Sequence, residues 1–266
     1  MKTNKLRELF QKNLPTVSTR LWSTDPFFYE AAGQTGYFDY VEFVAENAPF
    51  DMKDLPNLAR ACELNDMGSM IKVDFENRGY VAQKAVQAGF HSILFVDHLN
   101  ADQVRESVDM VRPKFPGETG LFGYPNARYI GGQSHIPGLQ HVDRLRDIVI
   151  AVMIEKAEAV ENIEEICSVP GVDMIQFGPN DYCLSRGWNR KDHMEEAKAA
   201  ERLCIECALR HGIRPRCEIG SPEEAEYYIS LGVRDFSLSD QMSILKNFWN
   251  TQGKKMREIA LSASGN

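Results

Sequence analysis

Short runs of β-branched and other apolar residues alternate with longer segments in which apolar residues recur every three or four positions. The short runs predict β-strands, and the longer segments predict amphipathic helices. We predict strands at residues 16–21, 39–44, 69–74, 92–97, 148–154, 173–177, 214–219 and 234–238. Helices are expected between them at residues 26–34, 53–65, 79–88, 101–112, 157–168, 195–211 and 222–231.

This alternation of strand and helix is typical of βα units around a parallel sheet. Eight strands in one rhythm predict a closed (β/α)8 TIM barrel, and we expect residues 1–266 to form one domain. Residues 113–147 are the exception, because this stretch is long, irregular and rich in glycine and aromatic residues. We predict a functional excursion or a lid there.

Composition narrows the class of protein. The chain has 266 residues, with 30 Lys and Arg against 38 Asp and Glu, so its formal net charge is −8. An acidic chain is a poor match for nucleic acid or an anionic membrane, and we expect neither as a partner. The N-terminus lacks the apolar segment of a secretory signal, and no apolar stretch is long enough to span a membrane. We therefore predict a cytoplasmic protein.

The six cysteines favour reduced thiols over a disulfide framework in a chain of this size. Cys204 and Cys207 form a CxxC pair within a segment of strong helical periodicity. No second pair at zinc spacing accompanies it, so we interpret both as buried helix positions, with metal binding as the alternative.

Polar residues collect at the carboxyl ends of the predicted strands, where a barrel carries its chemistry. Glu155 closes the apolar run IVIAVMI, and Asp181 follows the run MIQF. Two carboxylates on adjacent strands repel each other unless a cation lies between them, which predicts a site for a hard divalent ion such as Mg²⁺ or Mn²⁺. Alternatively, both residues cap the helices that follow, which suits Asp181 better than Glu155. The turn at Gly178 and Pro179 would also let backbone N–H groups approach an anion.

Residues 150–187, IAVMIEKAEAVENIEEICSVPGVDMIQFGPNDYCLSRG, resemble the signature of the HpcH/HpaI aldolase family. That signature is an apolar strand ending in a metal-ligand Glu, a helix that contains Asn, the motif PGVD, a short apolar strand and GP-x-D. Weaker similarity extends from Thr16 to about Asn247. The resemblance implies a (β/α)8 barrel whose last helix is exchanged between neighbouring subunits, usually in a hexamer.

The resemblance also implies a class II aldolase that acts on a 2-oxo acid and an aldehyde. Glu155 and Asp181 match the family's ligands for Mg²⁺, Mn²⁺ or Co²⁺. In the family this ion binds the keto and carboxylate oxygens of pyruvate and stabilises the enolate formed when the carbon–carbon bond breaks. The turn at Gly178, Pro179 and Asn180 is expected to help hold the substrate carboxylate.

The chain departs from the family at two catalytic positions. Asn47 stands where the family has a His of the acid/base apparatus, and Asn exchanges no proton near neutral pH. Lys72 replaces an Arg at the end of strand three, which keeps the positive charge and loses the planar two-pronged donor. The Asp that supports the family's His from a neighbouring subunit falls near Gln87.

Other residues are candidates to carry the proton. Asp97 and His98 follow strand four, and His98 is predicted either to titrate at the rim or to be a capped, solvent-facing residue. Glu46 is predicted either to bind a water molecule that transfers the proton or to be structural. Lys72 could instead form an imine with a ketone, although a metal site at Glu155 argues against that route.

Two residues of the excursion are predicted to set specificity. Arg128 lies where the family recognises the distal part of its aldehyde, and Tyr124 stands where a small Ser is usual. The final segment, residues 241–261, has an apolar helical face that either packs on a neighbour or covers its own barrel.

We therefore predict a metal-dependent carbon–carbon lyase. One alternative is a diverged enzyme that decarboxylates, hydrolyses or isomerises a related oxo acid. The other is a non-catalytic homologue that binds a 2-oxo acid. Both alternatives depend on the loss of the family's His at Asn47.

Overall fold

The computed structural model describes residues 3–124, 128 and 138–263. The strands are β1 (Thr16–Leu21), β2 (Tyr40–Val44), β3 (Gly68–Val73), β4 (Ser92–Phe95), β5 (Val149–Ile154), β6 (Met174–Phe177), β7 (Arg214–Ile219) and β8 (Asp235–Asp240). Each strand pairs in parallel with the next one along the chain, and β8 pairs with β1. The sheet is therefore a closed barrel, which confirms the predicted (β/α)8 fold.

Helices follow the strands in the expected rhythm. They are α1 (Lys5–Gln11), α2 (Pro26–Gln34), α3 (Leu55–Leu64), α4 (Arg78–Ala88), α5 (Ala101–Val111), α6 (Gly138–Arg146), α7 (Ala157–Glu161), α8 (Ile163–Cys167), α9 (Pro179–Ser185), α10 (Met194–Arg210), α11 (Ala225–Ser230), α12 (Gln241–Phe248) and α13 (Lys254–Ala263). Short 3₁₀ turns lie at Arg190–Asp192 and Pro222–Glu224, and a π-helical turn at Trp249–Gly253 joins α12 to α13.

Burial explains why the strands read as continuous apolar runs. Every residue of β4 and β5 is buried, because one face of the sheet packs inside the barrel and the other packs under the helices. Inside the barrel, Met70, Leu94, Ala151 and Met174 form a small core. The larger core lies between the sheet and the helices.

Helix α1, which was not predicted, packs at the amino end of the barrel. Leu6 is fully buried in the inner core. The side chain of Asn4 caps α1 and also donates 2.7 Å hydrogen bonds to the carbonyl oxygens of His91 and Asp147. With only one fully buried residue in a helix of seven, α1 has too weak an apolar periodicity to be recognised without its tertiary contacts.

Three other elements differ from the predictions. The excursion at residues 113–147 was expected to be irregular, but it contains helix α6. The helix predicted at 157–168 is divided into α7 and α8 at Asn162, whose side chain donates to the carbonyl of Leu99. Helix α9 was not predicted, because its seven residues, about two turns, are too few to show a period.

The C-terminal segment is largely exposed, although α12 contacts β1 and β8. None of the residues of α12, the π-helical turn or α13 is buried. Phe248 is 62% exposed and Trp249 is 55% exposed, so the apolar face is not used within the chain. Helix α12 contacts β1 and β8 of its own barrel, so packing of the exposed apolar face on a neighbouring subunit stays a prediction.

Two further features bear on the class of protein. No helix in the described ranges combines the length and the apolar character needed to cross a lipid bilayer. All six cysteines are buried free thiols, in agreement with the expectation of a reduced protein.

Candidate active site

Three carboxylates meet at the carboxyl ends of the strands. Glu46 follows β2, Asp97 follows β4 and Glu155 follows β5. One oxygen atom from each side chain lies within 4.8 Å of the other two. We call these three residues the rim cluster. Carboxylate oxygens at such spacing are the donors that hard divalent cations prefer.

The backbone holds the rim cluster together. The amide of Asp97 donates a 3.1 Å hydrogen bond to Oε1 of Glu155, and Asp97 adopts a left-handed backbone with φ of 61°. Gly178, after β6, packs against the other side of Glu155. A Cβ atom added to Gly178 would lie 2.7 Å from Cβ and 2.8 Å from Oε2 of Glu155, so only glycine fits.

Two lysines partly neutralise these carboxylates. Lys72 of β3 forms an ion pair with Glu46. Nζ of Lys156 lies 2.6 Å from Oδ1 of Asp97 and 3.9 Å from Oδ1 of Asp181. Sequence reasoning missed Lys156, although its position directly after Glu155 was a usable signal. Asp181 therefore lies on the same rim, but outside the rim cluster.

The pKa values indicate excess negative charge. The pKa of Glu155 is raised to about 7, mainly by burial; Lys72 lowers it, and the neighbouring Asp97 and Glu46 raise it. Burial works to lower the pKa of Lys72, but Glu155 and Glu46 outweigh it, so the pKa is raised. Lys72 is therefore a protonated ammonium group near neutral pH, which disfavours imine formation because that reaction needs the free amine.

Charge and chemistry both fit a divalent cation. The rim cluster and Asp181 supply four carboxylates, and Lys72 and Lys156 supply two ammonium groups. When Glu155 is ionised, as a bound cation would favour, the two negative charges that remain match the charge of one divalent ion. An all-oxygen donor set favours Mg²⁺ or Mn²⁺ over softer metals. The residues present therefore fit the predicted metal.

The predicted alternative, that the two carboxylates cap helices, is not observed. Gly178 is the N-cap of α9, and Asp181 is the third residue of that helix. The N-cap position of α7 is occupied by Lys156, and Glu155 precedes it. Both carboxylates are therefore available to face the rim.

A cavity of about 1120 Å³ opens beside the rim cluster. Among the predicted site residues, it is lined by Asn47, Lys72, Glu155, Gly178, Pro179, Asn180 and Asp181. Arg20 of β1 also lines it and was missed by the sequence reasoning. Its Nη1 lies 2.6 Å from Oε2 of Glu218 on β7, and its Nη2 lies 3.8 Å from Oδ2 of Asp240 on β8. A charged residue near the end of a strand was the available signal.

Asn47 contacts the rim cluster through Glu46. Its Nδ2 donates a 3.2 Å hydrogen bond to Oε2 of Glu46, the residue that pairs with Lys72. In the turn after β6, Oδ1 of Asn180 accepts a 2.9 Å hydrogen bond from Nη1 of Arg190. Asn47 and Asn180 therefore position charged neighbours and exchange no proton.

The structure does not bring His98 into the cavity. Its side chain is fully buried, its ring contacts Phe75 and Phe95, and Nε2 lies 2.7 Å from the hydroxyl of Ser107 on α5. Burial lowers the pKa of His98 to about 3, and the Arg78 guanidinium acts in the same direction. His98 is thus neither at the rim nor facing solvent, so this position does not support a role in proton transfer.

Tyr124 and Arg128 also lie outside the cavity lining. The Tyr124 ring contacts the His141 ring, with centroids 4.8 Å apart. Arg128 forms an ion pair with Glu63 and donates a 3.0 Å hydrogen bond to the carbonyl of Ala88. Glu63 and Ala88 lie at the carboxyl ends of α3 and α4, which face the amino ends of the strands. The structure therefore places Arg128 at the end of its barrel opposite the rim.

Comparison with protein-family models gives a match over residues 21–223 to the model described as HpcH/HpaI aldolase/citrate lyase. That span includes β2 to β7 and every residue of the rim cluster. The chain belongs to the HpcH/HpaI aldolase/citrate lyase family. The expectation drawn from residues 150–187 is thereby confirmed.

Relatives of this HpcH/HpaI chain are named as aldolases. A 2-dehydro-3,6-dideoxy-6-sulfogluconate aldolase of Pseudomonas putida is 28% identical over 173 residues, which cover 65% of this chain and 66% of the relative. A hydroxypyruvate/pyruvate aldolase of Paraburkholderia phytofirmans is 24% identical over 248 residues, which cover 86% of this chain and 93% of the relative. The HpcH/HpaI chain is therefore a carbon–carbon lyase.

Solved structures show the same fold. A HpcH/HpaI aldolase/citrate lyase family protein from Burkholderia cenocepacia is 23% identical, with a TM-score of 0.84 and coverage of 96% of this chain and 100% of that one. The citrate lyase beta subunit of M. tuberculosis, complexed with oxaloacetate and magnesium, is 12% identical, with a TM-score of 0.56 and coverage of 86% and 92%. These likenesses establish the barrel of this HpcH/HpaI chain.

Proposed function

We propose that this protein is a divalent-metal-dependent class II aldolase that makes or breaks a carbon–carbon bond beside a pyruvate-type 2-oxo acid, with an aldehyde as the second substrate. The observation that carries the proposal is the convergence of the Glu46, Asp97 and Glu155 oxygens within 4.8 Å, beside a cavity rich in charged groups. The magnesium named for the M. tuberculosis citrate lyase subunit and the pyruvate named for the Paraburkholderia aldolase support the chemistry.

Glu155 is proposed as the central ligand for Mg²⁺, Mn²⁺ or Co²⁺, because it is buried and its backbone neighbours hold it in place. Asp181 completes the ligand pair implied by the family, and Asp97 is a third candidate because of its contact with Glu155. When bound, the ion supplies Lewis-acid polarisation of the substrate carbonyl.

The chain's own groups orient the substrate and balance its charge. The turn at Gly178, Pro179 and Asn180 lies beside Glu155 and is proposed to hold the substrate carboxylate. The Lys72 ammonium group offsets the negative charge that develops on the keto oxygen. Asn47 cannot exchange a proton, and His98 is fully buried among aromatic rings. We therefore propose that the proton is moved by the Glu46 carboxylate, which belongs to the rim cluster and contacts Lys72 and Asn47.

A second candidate function is favoured by Asn47. Without the family's His, the protein would retain metal and oxo-acid binding but change the reaction to decarboxylation, hydrolysis or isomerisation, or bind without turnover. The cavity and the rim cluster serve these functions equally well. Product analysis therefore has to separate them from aldol cleavage.

The test uses protein stripped with a chelator and resupplied with Mg²⁺, Mn²⁺ or Co²⁺. Pyruvate release from a panel of 4-hydroxy-2-oxo acids and from oxaloacetate is measured, together with exchange of the pyruvate methyl protons in D₂O. Metal-dependent pyruvate release from the hydroxy acids supports the aldolase. Pyruvate release from oxaloacetate alone favours the decarboxylase, and tight oxalate binding without any turnover favours the binding protein.

Two variants complete this test. Glu155→Gln should abolish Mn²⁺ binding and lower turnover by about 100-fold or more, since the Lewis acid contributes several kcal/mol. Glu158→Gln makes the same change at an exposed site one turn along the chain and should leave both unchanged. Full activity and Mn²⁺ binding in Glu155→Gln would refute the proposed metal site.

We also propose a homo-oligomer in which a second copy covers the exposed apolar face of α12 and α13, in line with the helix exchange and the hexamer implied by the family. The exposed Phe248 and Trp249 rings support this assembly. The six buried free thiols support a cytoplasmic location, where thiols stay reduced.

A further inference from the structure

A second group of metal-type side chains lies outside the barrel, between α8 and α10. One potential ligand atom from each of Glu164, Cys207 and His211 lies within 4.8 Å of the other two. Glu164 belongs to α8, Cys207 belongs to α10, and His211 is the C-cap of α10. Cys207 and His211 are four positions apart, so both lie on the same side of their helix.

Cys167 is the candidate for a fourth donor. It lies three positions after Glu164 on α8, with its thiol beside the thiol of Cys207, although its sulfur is not among the three atoms that lie within 4.8 Å of one another. The Cys207 sulfur lies within 4.8 Å of a Glu164 carboxylate oxygen, and Oε2 of Glu164 lies 2.9 Å from Nε2 of His211. Two sulfur atoms, one imidazole nitrogen and one carboxylate oxygen are thus joined by a continuous chain of contacts.

We propose that Cys167, Cys207, His211 and Glu164 form a binding site for a soft or borderline divalent cation such as Zn²⁺. We call these four residues the thiol cluster. Four-coordinate zinc takes thiolate, imidazole and carboxylate ligands, and a set with two sulfur donors excludes Mg²⁺ and Ca²⁺ as preferred ions. The thiol cluster is therefore chemically distinct from the all-oxygen rim cluster.

Burial and exposure suit this site. Both thiols are buried, whereas the Glu164 side chain is 59% exposed and the His211 side chain is 29% exposed, which gives the ion a path from solvent. Arg210 pairs with Oε1 of Glu164, so Oε2 is the oxygen that faces His211. Binding would replace the two thiol protons, which leave to solvent, with two metal–sulfur bonds.

The site also resolves the CxxC motif of the sequence. The motif pairs Cys207 with Cys204, but the donors that surround Cys207 in space are Cys167, Glu164 and His211. Cys204 is buried and lies on the adjoining turn of α10. The prediction that both residues of the motif are buried helix positions is confirmed, and the second sulfur of the proposed site comes from another helix.

Cobalt is the most direct probe, because its spectrum reports the type of ligand. Chelator-treated, reduced protein is titrated with Co²⁺. We expect an intense sulfur-to-cobalt charge-transfer absorption in the near ultraviolet that reaches a plateau as Co²⁺ is added and disappears when Zn²⁺ is added. Oxygen ligands at the rim cluster produce no such absorption, so this result does not depend on activity or on the proposed function.

Variants assign the absorption to the thiol cluster. Cys207→Ser and Cys167→Ser should abolish it, and His211→Gln, at a partly exposed position, should weaken Co²⁺ binding by about tenfold or more. Cys204→Ser is the matched thiol control, and Glu155→Gln is the control at the rim cluster; both should retain the absorption. Wild-type protein without sulfur-to-cobalt absorption, or an unchanged spectrum in folded His211→Gln and Cys207→Ser, would overturn the proposal.

Discussion

The backbone amide of Asp97 donates a 3.1 Å hydrogen bond to Oε1 of Glu155, and this contact joins the ends of β4 and β5. It orients a buried carboxylate without using a side chain, while the Asp97 carboxylate is paired with Lys156. On its other side, Glu155 packs closely against the backbone of Gly178, where a side chain would collide with it. The position of the proposed metal ligand therefore depends on backbone from two neighbouring strands.

Substitution of Gly178 tests this close packing. Gly178→Ala should lower Mn²⁺ affinity by about tenfold or more, because the new Cβ lies 2.8 Å from Oε2 of Glu155 and must displace a group in the ligand sphere. Isothermal titration calorimetry measures the affinity. Gly138→Ala is the matched control, since the new methyl group would have no heavy atom within 4 Å and the affinity should equal that of the wild type. Equal affinity in Gly178→Ala would show that Glu155 does not bind the ion from its observed position.

Substitution of Lys72 separates charge from covalent chemistry. Lys72→Met should lower kcat by about 100-fold, because the ammonium group opposite the developing enolate charge is lost. Lys72→Arg should recover part of that loss, since it restores the positive charge. Lys53→Met is the matched control, because Lys53 forms an ion pair that is exposed to solvent, and its kcat should equal that of the wild type.

The same residue allows a test of the imine route. Borohydride added in the presence of pyruvate should leave the mass of the wild-type protein unchanged, because Lys72 is protonated and paired with Glu46. A protein mass increased by one reduced pyruvate adduct, absent from Lys72→Met, would establish the imine mechanism instead.

His98 should make stability depend on pH. Its pKa is about 3 in the folded protein, mainly because of burial, and the ordinary value is 6.5. The unfolded chain therefore binds a proton first, so the stabilising contribution is complete above pH 6.5 and falls as the pH decreases toward 3. Within this window the free energy of unfolding should fall by about 1.4 kcal/mol per pH unit from this group alone.

Urea unfolding at several pH values between 7 and 4 measures this dependence. His98→Gln should flatten it, although the buried His91, whose pKa burial lowers to about 4, should retain its own contribution. His193→Gln changes a partly exposed histidine and serves as the control. A slope in His98→Gln equal to that of the wild type would contradict the assignment of His98 as a buried neutral side chain.

The C-terminal helices should determine the assembly. Charge introduced by Phe248→Glu together with Trp249→Glu should dissociate the proposed oligomer, because both rings are more than half exposed in the single chain and would be buried against a second copy. Light scattering gives the mass. Tyr37→Glu, at an aromatic residue that is 82% exposed on another part of the surface, should keep the wild-type mass. A monomeric wild type would exclude the assembly.

Much of the barrel was predictable because its signals are local. Each strand is a run of four to six residues, and β4, β5 and β6 are mainly apolar; β1 and β7 have the predicted boundaries. The other strands differ at their ends, where pairing with a neighbour rather than residue type decides the boundary. Helix α1 was missed for a related reason, since its main buried contact, Leu6, belongs to the inner core of a barrel that forms from distant segments.

The candidate site also had some features that were predictable from the sequence and others that were not. The positions of Glu155 and of the turn at Gly178 followed from an apolar run and a short motif, which the folded chain preserves because each lies within one βα unit. The residues that contact them in the folded chain could not be predicted from those local signals. His98 and Arg128 share the sequence neighbourhood of functional segments, yet contacts with Ser107 and Glu63 draw them away from the cavity.

The order and number of the apolar runs were thus enough to establish a (β/α)8 barrel, and one motif of 38 residues was enough to indicate the family. The contacts of Asp97 with Lys156 and Glu155, and the proximity of Cys167 to Cys207, could be seen only in the folded structure. The physical reason is that periodicity and motifs describe neighbours along the chain, whereas electrostatics and metal coordination depend on distances of a few ångströms between residues far apart in it.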